Sequence, residues 1–307
     1  MRCRVCESSN VILVSEYAPY DDFKTVVYDC MECEARFVPY VPHAHENLHS
    51  NRSSYNRHDI DANYAAKVIK DNNLKKLKAY LERSPANKYV IDHIEKLPKS
   101  ANILEMGCSK GYLTGYFISI GRKVLGVDIS KTAITLAKER FGNYFCTSES
   151  PAIIAGAPYD VVYHVGTIGC VEAPHEFTME LLGLLKPGGV LLFNAPNREY
   201  IDKTESLWLS TPPPDLVTLF APSYWLKTFE SIALAKVDVH LASRIKSAKL
   251  RFNEKKNKSR EVNKICSFSS VKVNYKDKFV YLFYLLAFTL RKRLPSEYGV
   301  LVKLKKF

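Results

Sequence analysis

Apolar and polar positions alternate most regularly between Asn102 and Asp128. An apolar run (Ile103, Leu104, Met106) ends in Glu105-Met106-Gly107-Cys108-Ser109-Lys110-Gly111. Helical spacing follows through Tyr112, Leu113, Tyr116, Phe117 and Ile120, and a second apolar run, Val124 to Val127, stops at Asp128. The pattern predicts a strand, a glycine turn, a helix and a second strand with an acid at its carboxyl end. Ser130 is a good N-cap for a helix through Phe141, and Tyr144–Cys146 reads as a short third strand. Asp160–Val165 is a fourth strand, and a helix from Pro174 to Leu185 leads through Lys186-Pro187-Gly188-Gly189 into a fifth, Val190–Asn194. Ser223–Glu230 predicts a helix, Ile232–Leu241 holds a sixth strand and Tyr298–Lys305 supplies a seventh. Strands alternating with helices imply an α/β fold with a largely parallel sheet.

Upstream, apolar spacing predicts helices over Ala62–Arg83 and Ala86–Leu97, punctuated by Ser84-Pro85. Pro39–Arg57 is polar and lacks periodicity, so it reads as a linker or a loop crossing a site mouth. Before it stand two C-x-x-C pairs, Cys3/Cys6 and Cys30/Cys33, separated by 23 residues. Strand-like stretches Val11–Val14 and Thr25–Tyr28 lie between them, with a turn at Pro19–Asp22. Two such knuckles on two hairpins bring four thiolates together tetrahedrally, as in a zinc ribbon. With four sulfur ligands no position stays open for catalysis, so the predicted zinc is structural. His43 and His45 are alternative ligands that four cysteines make unnecessary.

Composition adds less. Apolar residues make up 47% and charged residues 25%, ordinary for a globular protein. A balance of 44 basic to 32 acidic residues gives +12, and Arg244–Lys264 alone carries nine Lys or Arg against two Glu. That stretch is a solvated face or an anion-binding surface. Phe279–Arg293 predicts an apolar helix with a basic end, too short to span a bilayer. It either packs on the core or lies on a membrane surface as a peripheral contact. With no apolar leader visible and cysteines read as metal ligands or thiols, the expected location is cytoplasmic.

The glycine turn carries the chemistry. In open α/β sheets a nucleoside lies where the backbone approaches closely and an acid at the second strand's end takes both ribose hydroxyls. Gly107 and Gly111 then supply permissive φ and a surface without Cβ. The G-x-G-x-x-G spacing of dinucleotide enzymes is absent. From Ala101 to Asn197 the chain resembles the class I S-adenosylmethionine-dependent methyltransferases. Their first motif runs acid-x-Gly-x-Gly-x-Gly, with Ser109 here replacing the middle glycine. The L-K-P-G-G-x-L-L run at residues 185–192 and Ala195-Pro196-Asn197 are similar to the same family.

The resemblance implies a Rossmann-like seven-stranded sheet, mostly parallel with its last strand antiparallel and helices on both faces. It divides the chain into a ribbon (1–42), a linker with N-terminal helices (43–100), a core (101–243) and a terminal insertion with the last strand (244–307). It implies S-adenosylmethionine contacts from Glu105, Gly107, Cys108, Ser109, Gly111, Asp128, Ile129, Ser148, Glu149 and His164. Tyr55 and Tyr64 are candidate site-wall residues, and the loop Arg198–Thr211 with Trp208 is expected to shape the acceptor pocket. A Glu-His pair common in such enzymes is replaced by Gly169 and Cys170, and a later histidine by Asp215. His164 is a weak candidate base; His175 is weaker. The predicted reaction is methyl transfer to a small molecule such as a sugar, nucleotide-sugar or natural-product intermediate, since sugar C-methyltransferases also combine C-x-x-C pairs with this core. RNA as acceptor and a non-catalytic scaffold are the alternatives, and the oligomeric state is not readable.

Overall fold

The computed structural model describes residues 1–42, 44, 57–204, 206–209, 211–231, 235–241 and 299–306. His43, His45, Tyr55, the basic stretch 244–264 and the apolar stretch 279–293 lie outside the described residues. No helix among the described residues is long and apolar enough to cross a membrane.

Strands β1 (Val11–Tyr20), β2 (Phe23–Cys30) and β3 (Arg36–Phe37) form the N-terminal sheet. Helices α1 (Arg57–Lys70), α2 (Leu74–Leu81) and α3 (Pro85–Ile94) follow. The single helix expected over Ala62–Arg83 is therefore two. Asn72 takes φ 52° and Asn73 caps the second helix, its side chain accepting from the Lys76 amide. Asn tolerates the left-handed region and competes well at caps, which ends one helix and starts the next. Ser84 caps α3 from the Asn87 amide, with Pro85 in the first turn where its missing N–H is harmless.

Next come β4 (Asn102–Met106), α4 (Tyr112–Ser119), β5 (Lys123–Asp128), α5 (Lys131–Phe141) and β6 (Phe145–Thr147). A short α6 (Ala152–Gly156) precedes β7 (Tyr159–His164), α7 (Pro174–Gly183) and β8 (Leu185–Pro196). The expected Lys186–Gly189 turn lies inside β8 as an irregularity. The pairing with β7 jumps from Tyr159↔Leu185 to Val161↔Val190. The segment read as a loop after Asn197 begins with a helix, α8 (Arg198–Thr204). The chain closes with β9 (Thr218–Leu219), α9 (Pro222–Ser231), β10 (Ala235–Leu241) and β11 (Gly299–Lys306).

The large sheet runs β10-β11-β8-β7-β4-β5-β6. Only β11 is antiparallel to its neighbours, so the other six strands share one direction. Strand alternation sorts the core. Leu104, Val162, Leu191 and Phe193 face one side, and Ile103, Val161, Tyr163 and Leu192 face the other. The second side is closed by α1 to α4 through Val68, Leu77, Ile91, Leu113 and Phe117.

The first side is closed by α7, α9 and the N-terminal hairpin. Cys3, Val5, Cys30, Ala35 and Phe37 share one apolar cluster with Trp225 and Phe229. The hairpin also gains a strand from the core, because β9 pairs with β3 (Arg36↔Leu219, Phe37↔Thr218). A part-buried charge network fastens it further. Arg36 forks onto Asp29 with both bonds at 2.7 Å, and Arg198 of α8 reaches the same carboxylate at 3.0 Å. Removing Asp29 leaves two guanidiniums facing one another in a largely desolvated place. Asp29→Ala is expected to lower stability by about 3 kcal/mol, read as a shift in the urea midpoint with an unchanged native spectrum.

Candidate cofactor site and cysteine centre

The site is built where β4 and β5 end. The amides of Gly107 and Cys108 both donate to the Val127 carbonyl, at 2.7 and 2.8 Å, which lashes the turn to the neighbouring strand. Asp128 then joins the turn to the next helix. Its Oδ2 accepts the Ser109 amide at 2.7 Å and its Oδ1 the Ser130 amide at 2.9 Å. Each carboxylate oxygen keeps a further lone pair for a hydroxyl donor.

Ser109 stands in the left-handed region with φ 49°, the conformation a glycine would take without cost. The bond to Asp128 holds it there. Gly107 (φ 77°) has no room for a side chain, since a Cβ would lie 2.3 Å from Thr167 Oγ1. Gly111 (φ 78°) is needed for a different reason than ligand approach. Its Cβ would meet Phe145 at 2.6 Å and Ala137 at 3.0 Å, so it serves the packing of α4 against α5 and β6.

Glu105 and the Cys108 side chain are placed otherwise than expected. Glu105 is not at the open face of the turn. It is buried beneath it, accepting from the Thr114 hydroxyl and from the Tyr163 phenol at 2.9 Å. Burial pushes its carboxyl up to about 7. The Cys108 side chain packs with Ile134, Ala137 and Phe145, leaving only its backbone at the turn. Ile129, Ser148 and Glu149 are exposed beyond the ends of β5 and β6, and the Ser148 amide bonds the Asp128 carbonyl at 3.2 Å.

His164 does not suit the role of a base. Its ring is fully buried, stacked 4.7 Å from Phe193 and tilted against Phe177 at 5.6 Å. Neither ring nitrogen has a hydrogen-bond partner, and desolvation lowers its value to about 3. Position 164 shares the side of β7 that carries Val162 and faces the core, which a strand's period of two dictates. His175 bonds Tyr224 at 3.1 Å and stacks on Phe229. Tyr64 packs on Tyr80, and Trp208, 6% exposed, stacks on Tyr17 of the hairpin rather than lining an open pocket.

Other contributors carried no motif. Asp59 of α1 pairs with Lys110 in the turn and lies 3.7 Å from Arg140 of α5, drawing α1 across the site. His58 stacks on Tyr112 beside it. Asn194 accepts the Gly166 amide at 2.8 Å, and Thr167 abuts Gly107. Each is an ordinary polar residue on a predicted element or loop, so only the fold reveals its partner.

The cysteines assemble as expected. The four sulfurs of Cys3, Cys6, Cys30 and Cys33 lie within 4.8 Å of one another, a group that could hold a metal ion. Cys3–Cys33 and Cys6–Cys30 are each 3.6 Å apart. A tetrahedral ion with bonds of about 2.3 Å to sulfur sets edges of about 3.8 Å. Glu7 and Glu34, which follow the two knuckles, take φ 59° and 58°, and the Val5 amide points at Cys3 Sγ at 3.4 Å.

The buried Glu105 gives a pH signature. Its folded value of about 7 exceeds the ordinary 4.5, so the folded state holds this proton more tightly than the unfolded chain. The stability it contributes is full below about pH 4.5 and is lost as pH rises to about 7. Glu105→Gln is expected to flatten that part of the stability–pH curve. An identical slope in wild type and variant would assign the titration to another group.

Residues 76–239 match the family described as Methyltransferase domain, over more than half of the chain. The chain is 28% identical over 178 residues to the ubiquinone biosynthesis O-methyltransferase of Dinoroseobacter shibae, covering 52% of this chain and 70% of that protein. It is 29% identical over 126 residues to the protein of the same name from Cereibacter sphaeroides, covering 39% of this chain and 51% of that one. A solved S-adenosylmethionine-dependent methyltransferase from Archaeoglobus fulgidus aligns over 76% of this chain and 94% of its own, with 17% identity and a TM-score of 0.44. The glycine turn, the acid that closes β5 and the family match agree: the chain belongs to the methyltransferase-domain family and is an S-adenosylmethionine-dependent methyltransferase.

Proposed function

We propose that this methyltransferase acts on a small-molecule acceptor and carries a structural zinc in its N-terminal hairpin. The observation that carries the cofactor assignment is the Asp128 carboxylate, held by two amides at the end of β5. S-adenosylmethionine supplies an activated methyl on a sulfonium. Asp128 takes the ribose hydroxyls on its free lone pairs, and the Gly107–Gly111 backbone lies against the methionine portion. Ile129, Ser148 and Glu149 border the adenine. Glu105 acts from below, holding Thr114 of α4 and Tyr163 of β7 in register under the turn. The chain's task is to place an acceptor in line behind the methyl and exclude water, which is catalysis by positioning.

The small-molecule reading is supported by relatives named as ubiquinone biosynthesis O-methyltransferases. His164 is read as a packing residue, and no base is assigned to it. Cys3, Cys6, Cys30 and Cys33 would hold the zinc. All four ligand positions are sulfur, so the ion supplies folding energy to the hairpin and leaves the reaction to the core.

Two measurements test this. Asp128→Ala is expected to weaken S-adenosylhomocysteine binding by about 10- to 100-fold in calorimetry, with the circular dichroism spectrum unchanged. Full affinity in that variant would remove the cofactor assignment. Cys30→Ser is expected to lose the metal, read by elemental analysis against about one zinc per wild-type chain. Equal zinc in both proteins would contradict the four-thiol site.

A further inference from the structure

We propose that Arg4 is a positioning residue that makes the loop 166–174, beside the cofactor turn, dependent on the four-thiol centre. The inference rests on the zinc reading of that centre for its metal dependence and on geometry for the rest. Arg4 lies between the ligand candidates Cys3 and Cys6, yet its side chain bonds outside the hairpin. Nε and Nη2 donate to the Glu172 carbonyl at 3.1 and 2.7 Å, and Nη2 also reaches the Val171 carbonyl at 3.1 Å. Nη1 turns back to the Val38 carbonyl at 3.2 Å, and the guanidinium lies 5.3 Å over the Tyr40 ring. A planar fork on two consecutive carbonyls fixes both the position and the tilt of a backbone segment.

The middle of the loop is held from the same side. The Gly169 carbonyl accepts the amides of Val217 and Thr218 at 2.8 and 3.1 Å. Thr218 belongs to β9, which pairs with β3 of the hairpin sheet. The loop's inner side meets the cofactor turn, where Thr167 Oγ1 lies 3.4 Å from the Met106 carbonyl and blocks any Cβ at Gly107. A continuous physical route therefore runs from the Cys3–Cys6 knuckle through Arg4 to Val171 and Glu172, and on to the turn. The hairpin itself has independent fastenings in the Asp29–Arg36–Arg198 network and the β3–β9 pairing. Loss of the Arg4 fork should thus free the loop while leaving the hairpin docked.

Amide hydrogen exchange on the full zinc-loaded chain reads this directly, with zinc content and S-adenosylhomocysteine binding measured on the same samples. Arg4→Ala is expected to speed exchange in 166–174 by about tenfold or more, with zinc retained and exchange in 124–128 unchanged. Arg4→Lys, which keeps the charge without the fork, is expected to fall between. Wild type stripped of zinc by a chelator should show the same faster exchange in 166–174. Unchanged exchange there in zinc-retaining Arg4→Ala overturns the clamp, and unchanged exchange on zinc removal overturns its metal dependence. If Arg4→Ala does not fold, Arg4→Lys decides the clamp by the same peptides. A wild-type protein purified without zinc would defeat the zinc reading, while the comparison of Arg4 variants still decides the clamp.

Discussion

Two amides converging on one carbonyl, Gly107 and Cys108 on Val127, are the constraint from which the site follows. A parallel strand pair ends with unpaired backbone groups, and here the turn after β4 folds back to satisfy the last carbonyl before the end of β5. That closure throws Gly107 into the left-handed region against Thr167 and brings the Ser109 amide to Asp128. Asp128 also accepts the Ser130 amide, which ties the turn and β5 to the start of α5. A carboxylate fixed by two neutral donors is ready to receive hydroxyls without reorganising, which is what an affinity site requires.

Below the turn, a buried acid does structural work. Glu105 sits among Thr114 and Tyr163, both themselves buried, and a charge there would be costly without partners. The two hydroxyl donors offset part of that desolvation, and the carboxyl still titrates near neutrality. The acid of the family's first motif is thus a keystone between β4, α4 and β7 in this chain. What it holds in place is the base of the glycine turn above it.

The hairpin follows another logic. A two-stranded ribbon buries too little apolar surface to stand alone. Here Val5, Ala35 and Phe37 join the same cluster as Trp225, β9 extends the sheet, and Arg198 completes a charge network with Asp29 and Arg36. The four sulfurs gather at its open end, opposite the turn between β1 and β2, close enough for a tetrahedral ion. The cysteine knuckles, the hairpin and α9 are consequently packed together on one side of the sheet, with the helices α1 to α4 on the other.

The strand–turn–helix alternation, the acid at position 128 and the two cysteine pairs are local patterns, so the sequence by itself determined the α/β class, the cofactor turn and the thiol cluster. Periodicity also located β4, β5, β7 and α5 to within a residue or two, because each buries a continuous face. It missed the break at Asn72-Asn73 and missed α8, where single polar residues rather than apolar spacing decide the backbone. Side-chain partners were decided only by the tertiary structure. Period two on β7 turned His164 into the core and set Tyr163 against Glu105. Pairings such as Lys110 with Asp59, or Arg4 with the carbonyls of 171 and 172, join residues 51 and 168 positions apart or so. Such contacts leave no periodic trace, since what makes them favourable is the burial and geometry that exist only once the sheet has closed.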